Sequence, residues 1–413
     1  MRHALLASLV LFAACGEDVA PIDPLPDAPA GEPVFYGQVQ KILNDNCVSC
    51  HGTDPSRLAP FALVSYEDAV AAATDFPMAY DVMNRVMPPF YADQDGDCNS
   101  FRDAHWLDDT EMQTLVAWIN GDKLEGDPAA SVAPPPPPGG LPQTDRVVDL
   151  GAPFTVPTAT PDYFACFVVD AIGADKFVTG AHVKPGNLTV VHHVILYTMD
   201  ATAEQEALTR QAQAAGPYQC DGGPTSAGKT NFLVGWVPGN QATLFPPDTG
   251  IKVDGARKMV VQMHYNNANS DGLPDDTTIA LDLADSVAIP AQMVGISAPV
   301  NLAPHDTDAV AVGTLNLPGA LPSARIWGSA VHMHQRGTSA KLSIANQDRC
   351  VLDLVNWSFH WQHFYWLQEP VPVSGGDKIQ LECHYDTSND TTNVGFCEST
   401  ECEMCVQYAF VSQ

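Results

Sequence analysis

Two groups of residues in this chain have the types and spacing to do chemistry. The first is Cys47-Val48-Ser49-Cys50-His51. Two thiols three positions apart can add to the two vinyl groups of one haem, and the adjacent imidazole reaches the iron; this is the attachment pattern of a c-type haem. The sixth ligand is expected downstream. Met87 in Val86-Met87-Pro88-Pro89 is the first choice, because two prolines stiffen its loop. Met83 and His105 are the runners-up. A thioether ligand raises the potential of the iron, which suits electron transfer.

The second group is five histidines in strand-like contexts. His192-His193 is flanked by Val190, Val191, Val194 and Ile195, and His264 lies in Val260-Val261-Gln262-Met263-His264-Tyr265. His332 and His334 lie in Ala330-Val331-His332-Met333-His334. In a strand, positions i and i+2 share a face, so His332 and His334 can meet one metal. His192 and His193 would point to opposite faces. Sharing a metal then requires a strand end, a bulge or coordination through Nδ1.

With these motifs in order, residues from about 150 to 413 resemble the copper type II, ascorbate-dependent monooxygenases. The resemblance implies an electron-transfer copper held by His192, His193 and His264, with Gln262 and Tyr265 completing the family's Gln-x-His-Tyr strand. It implies a catalytic copper held by His332, His334 and Met404, the last within Glu403-Met404-Cys405. Imidazole suits copper in both oxidation states, and a soft thioether favours Cu(I). Two disulfides follow from the same likeness, Cys166–Cys220 and Cys383–Cys405, and Tyr408 matches a further catalytic-site position. The implied reaction hydroxylates a C–H bond of a small organic substrate with O2, using an ascorbate-like reductant or a redox protein. The peptide-amidating members hold a substrate carboxylate with an Arg two residues before the His-x-His; here that place is Ala330. An Asn two residues beyond the Met is here Val406, so a C-terminal glycine peptide is not the expected substrate.

These residues need elements to position them. Residues 33–125 read as a helical unit resembling small class I cytochrome c domains. Phe35, Val39, Ile42 and Leu43 share a face just before the CxxCH. Ser65 and Asp68 form a capping-box pattern. Asp108 and Glu111 can cap a third helix with the stripe Met112, Leu115 and Ile119, ended by Asn120-Gly121. Residues 126–145 contain Pro134 to Pro138, a stiff spacer. Beyond it, short β-branched and aromatic runs alternate with turn residues, broken by one helix around Ala203–Ala214. The expected fold is multidomain: a small all-α cytochrome c domain, then two all-β, jelly-roll-like sandwiches over 146–285 and 286–413.

The N-terminus is a short apolar run from Ala4 to Ala14 ending at Cys15, which resembles a bacterial lipobox. Residues 1–15 then form a lipoprotein-type signal, and 16–32 an acidic, proline-rich tether. The expected product is an exported lipoprotein, periplasmic or cell-surface, anchored through Cys15 and addressed to the outer membrane; ordinary signal cleavage is the alternative. With 413 residues and a net charge of −30, the chain is not expected to bind nucleic acid. Of 11 cysteines, eight remain after Cys15, Cys47 and Cys50, an even number in an exported chain. Cys397 and Cys402 are expected to close a local loop near Met404.

Asp93, Asp95 and Asp97 alternate as Ca²⁺ ligands do, although a solvated acidic turn is the simpler reading. Gly223 to Thr230 fits GxxxxGK[ST], but no buried strand precedes it and a strand-like run follows, so ATP is not an expected partner. His360 and His363, read within a strand, face opposite sides and are expected as core or edge residues. Together these features describe an exported copper monooxygenase whose fused haem reduces the copper of His192, His193 and His264. The alternative is a non-catalytic haem and copper electron-transfer, or copper-binding, lipoprotein.

Overall fold

The computed structural model describes residues 31–53, 59–94, 98–135, 140–238, 240–267 and 270–413. Cys15, its leader, Asp95 and Asp97 lie outside them. Four α-helices, Gln40–Asn46, Tyr66–Asp75, Met78–Met83 and Asp109–Asn120, make the N-terminal unit. Both expected capping boxes form. The Ser65 hydroxyl accepts the Asp68 amide at 3.1 Å while the Asp68 carboxylate accepts the Ser65 amide at 3.2 Å. Asp108 and Glu111 exchange the same bonds at 2.8 and 3.2 Å. Each reciprocal pair satisfies two amides that a helix start leaves open. Met112, Leu115 and Ile119 bury their stripe against Phe35, Val39 and Leu43.

The rest is β. A nine-stranded sheet runs in the order Arg146–Asp149, Thr278–Ala284, Lys176–Lys184, Thr249–Val253, Ile289–Ser297, Val406–Ser412, Ala324–His332 and Tyr365–Val373, with Thr243–Leu244 added beside Lys176–Lys184. Its first half faces a five-stranded sheet and its second half a four-stranded one. The five are Tyr218–Gln219, Asp162–Val169, Met259–Asn266, Val191–Met199 and Thr230–Trp236. The four are Ala309–Asn316, Lys378–Tyr385, Gly337–Ile344 and Arg349–Leu354. Alternating inward residues fill each gap, for example Val261, Met263 and Tyr265 in the first sandwich and Leu342, Ile344 and Leu381 in the second. One parallel pair, Ile289–Ala291 on Thr249–Ile251, joins the two sandwiches through their common sheet.

The described residues of the stretch 88–106, namely 88–94 and 98–106, leave the helical unit and lie on the second sandwich. Phe90, Ala92 and Phe101 belong to that sandwich's core. The Asp93 amide donates to the Asp353 carbonyl at 2.9 Å, Arg102 to Trp366 at 2.7 Å, and Gln368 to Ser100 at 2.9 Å. Cys98 is bonded to Cys350. Arg349–Leu354 and Tyr365–Val373 are the terminal strands of their sheets. An open edge presents unpaired backbone groups, and this strap covers part of both.

Candidate metal centres

Strand chemistry alone would separate His192 from His193. Pairing between Val191–Met199 and Met259–Asn266 slips between Val191 and His193, so His192 occupies a bulge. The bulge turns both imidazoles toward His264, which His193 faces directly across the ladder. The Nδ1 atoms converge: His264 Nδ1 lies 3.2 Å from that of His192 and 3.3 Å from that of His193. One ligand atom from each residue falls within 4.8 Å of the others. His264 is stacked on Phe164 at 4.1 Å between ring centres, and its Nε2 donates to Asp162 Oδ1 at 3.0 Å. That bond puts the proton on Nε2 and leaves the Nδ1 lone pair for a metal. The bond to His264 in turn holds the Asp162 carboxyl down at about 2. Burial pulls His192 down to about 3 and His193 well below its usual value, so both rings are neutral donors at neutral pH.

The second set is arranged the opposite way. His332 is the last residue of its strand and His334 lies just past it, so the strand's end rather than its pleat brings the pair together. His332 Nδ1 donates to Gln362 Oε1 at 2.7 Å, and Gln362 is oriented by donating its own amide to the Phe359 carbonyl at 2.8 Å. His334 Nδ1 donates to the Cys402 carbonyl at 2.9 Å. Both rings therefore keep Nε2 for a metal. Glu403 is fully buried and accepts the backbone amides of His334 and Arg336, each at 2.8 Å, which fixes the turn carrying the pair. Met404 follows, its carbonyl bound by the Tyr385 hydroxyl at 2.8 Å. Burial lowers His332 to about 4 and also lowers His334.

Both sets open onto one cavity of about 220 Å³ between the sandwiches. His193 and His264 line it from the first sandwich; His332, His334, Met404 and Tyr408 line it from the second. The ring centres of His193 and His332 are 6.3 Å apart. Two sets of different ligand type, with outer hydrogen bonds on His264, His332 and His334, fit two coppers: one all-nitrogen, one softened by sulfur.

The loop between Cys397 and Cys402 ties the sets together. Those cysteines are bonded, as are Cys166 with Cys220 and Cys383 with Cys405. Within the loop, the Thr400 hydroxyl donates to Asp162 Oδ2 at 3.0 Å, and Glu398 accepts the Gly222 amide. Asp162, Gln362 and Thr400 carried no spacing signal in the sequence. Asp162 meets His264 only because the two share adjacent strands, and Gln362 is hidden in an aromatic run.

That run corrects one expectation. His360 and His363 sit in an irregular stretch before Tyr365–Val373, not in a strand, because the segment bends over the cavity. His363 lines the cavity, with Nδ1 3.0 Å from Asn240 Oδ1. The GxxxxGK[ST] segment leads into the strand Thr230–Trp236, and its Ser226 and Ala227 amides point at Glu206. Asn99 of the acidic loop donates to the Cys350 and Val351 carbonyls at 3.1 and 2.9 Å.

In the helical unit, Cys47 and Cys50 are free thiols. The His51 Nδ1 lies 3.1 Å from the Phe61 carbonyl, the outer contact that a metal-ligating histidine makes. Met87 and His105 line a small second cavity with Met112, while Met83 packs on the core that Met112 shares with Cys47. Cys47, Cys50 and His51 are not among the residues lining the cavity that holds Met87.

Residues 150–272 match the family model described as copper type II ascorbate-dependent monooxygenase, N-terminal domain, and residues 311–411 match its C-terminal counterpart. The two matches cover just over half of the chain. DBH-like monooxygenase protein 1 of Gallus gallus is 24% identical over 240 residues, which are 53% of this chain and 38% of that protein. Dopamine beta-hydroxylase of Canis lupus familiaris is 26% identical over 254 residues, 52% of this chain and 40% of the relative. Peptidylglycine alpha-amidating monooxygenase of Rattus norvegicus is 22% identical over 282 residues, 65% of this chain and 27% of the relative. The chain thus spans less than half the length of these relatives.

Proposed function

Because the chain belongs to the copper type II ascorbate-dependent monooxygenase family, we propose that it hydroxylates a C–H bond of a small organic substrate with O2. Each turnover consumes one O2, two electrons and two protons, and releases the alcohol and one water. His332, His334 and Met404 hold the catalytic copper; His192, His193 and His264 hold the copper that supplies an electron. Copper supplies one-electron chemistry and O2 activation at these ligands. The chain's own residues set that chemistry up. Asp162, Gln362 and the Cys402 carbonyl fix which ring nitrogen faces the metal. The aromatic walls exclude water from the chamber.

One observation carries this reading: two ligand sets of different type share the wall of one apolar chamber. A non-catalytic electron carrier has no need of a chamber between its metals. The test uses copper-loaded protein with ascorbate, following O2 uptake and hydroxylated product. His332→Ala and Met404→Leu should each abolish product. Unchanged O2 uptake in both variants would overturn the assignment.

The electrons are proposed to enter through a c-type haem on Cys47 and Cys50, with His51 and Met87 on the iron. In support, every other described cysteine is in a disulfide, so two adjacent thiols left reduced have another use. The arm carrying Met87 also runs toward the copper ligands: Pro89, two residues on, lies beside His363, whose chain neighbour Gln362 accepts from His332. Replacing Cys47 and Cys50 by Ala should remove the haem absorption, abolish turnover driven by a protein donor, and spare turnover driven by ascorbate. The four disulfides fit the oxidising compartment of an exported protein. Anchoring through Cys15 rests on the Leu11–Gly16 segment alone.

A further inference from the structure

The chamber also carries information about what enters it. Among the described residues lining it there is no Lys and no Arg. The place next to the catalytic pair that would offer a cation to a carboxylate is Ala330, whose side chain forms part of the wall. The one carboxylate on the wall, Glu398, is already engaged by the Gly222 amide. Several polar side chains there are committed to protein partners. Tyr197 donates to Gln262, which donates to the Cys220 carbonyl, both at 3.2 Å. Gln362 is committed to His332 and the Phe359 carbonyl, and Thr400 to Asp162. A charge buried beside groups already committed to protein partners finds no opposite charge to pair with, which disfavours its entry.

What the wall does offer is aromatic and thioether surface. Phe232 from the first sandwich stacks on Tyr408 from the second, with ring centres 4.8 Å apart. Phe245 and Trp366 lie 5.9 Å apart beside them, and Met293 adds a flexible apolar contact. The volume bounds the size. An apolar cavity of about 150 Å³ accepts a benzene. A cavity of about 220 Å³ then accepts one ring with a short substituent.

We propose that the substrate is a compact, uncharged, apolar molecule, of the size of one ring with a short alkyl arm, presenting a C–H bond between the two ligand sets. This rests on the monooxygenase reading and narrows it. Specificity comes from shape and apolar burial, with no charged anchor.

The test compares three one-ring probes of similar size: ethylbenzene, 2-phenylethylamine (a cation) and N-benzoylglycine (an anion). Binding is read on full-length protein without added copper or O2, from quenching of tryptophan fluorescence, since Trp236 and Trp366 line the chamber, and from the melting temperature. Ethylbenzene should bind at least tenfold more tightly than either charged probe. Phe232→Trp, which fills the chamber, should weaken ethylbenzene at least tenfold. Ala330→Arg should raise the affinity for N-benzoylglycine at least tenfold. Equal or tighter binding of either charged probe by the unmodified protein would overturn the proposal, as would ethylbenzene binding unaffected by Phe232→Trp. The monooxygenase reading fails separately: ethylbenzene that binds as expected but yields no 1-phenylethanol with copper, ascorbate and O2 would count against the reaction and leave the substrate class standing.

Discussion

At the scale of single residues, the chemistry depends on which nitrogen each imidazole offers. His264 offers Nδ1 because its Nε2–H donates to Asp162. His332 and His334 offer Nε2 because their Nδ1–H groups donate to Gln362 and the Cys402 carbonyl. Outer partners of this kind typically account for about 10–100-fold in metal affinity. Asp162→Ala should therefore weaken copper at the three-histidine set by roughly that factor, with the second set unchanged. Equilibrium dialysis with copper quantitation measures it, and an unaltered affinity would show that Asp162 does not orient His264. The ligands themselves were legible as motifs. Their partners were not, because a lone Asp at the head of a strand or a Gln among aromatics has no spacing that marks it.

At the scale of elements, three devices place those residues: a bulge, a strand end and a disulfide loop. The bulge at His192 answers the conflict posed by two adjacent histidines on a period-two strand. The loop closed by Cys397 and Cys402 supplies the carbonyl on His334 and carries Thr400 to Asp162, so it touches both ligand sets. Opening it with Cys397→Ala plus Cys402→Ala should alter the electron paramagnetic resonance signal of copper bound at His332, His334 and Met404; an identical spectrum would argue against this role. Capping boxes show the local code at its most readable, since Ser65 with Asp68 and Asp108 with Glu111 pair as their spacing requires. Asp108→Ala should cost about 1 kcal/mol of stability, read from urea denaturation.

At the scale of the whole molecule, the strap of residues 88–106 matters most. It covers edges of both sheets of the second sandwich and is bonded there by Cys98–Cys350. Clipping the spacer at 126–145 should leave the helical fragment attached on a non-reducing gel, whereas Cys98→Ala plus Cys350→Ala should release it; early release from the unmodified protein would contradict the bond. From its sequence alone the chain determined its local grammar. The haem-type motif, the capped helices, the alternation of the strands and the six copper-type ligands all depend on residues close in sequence or on a repeated period. Only the tertiary structure decided which strands became neighbours, where the strap docked, and that both ligand sets face one largely apolar chamber. Those outcomes depend on burying apolar faces and closing sheet edges between segments far apart in the chain, and no local spacing encodes such a partner.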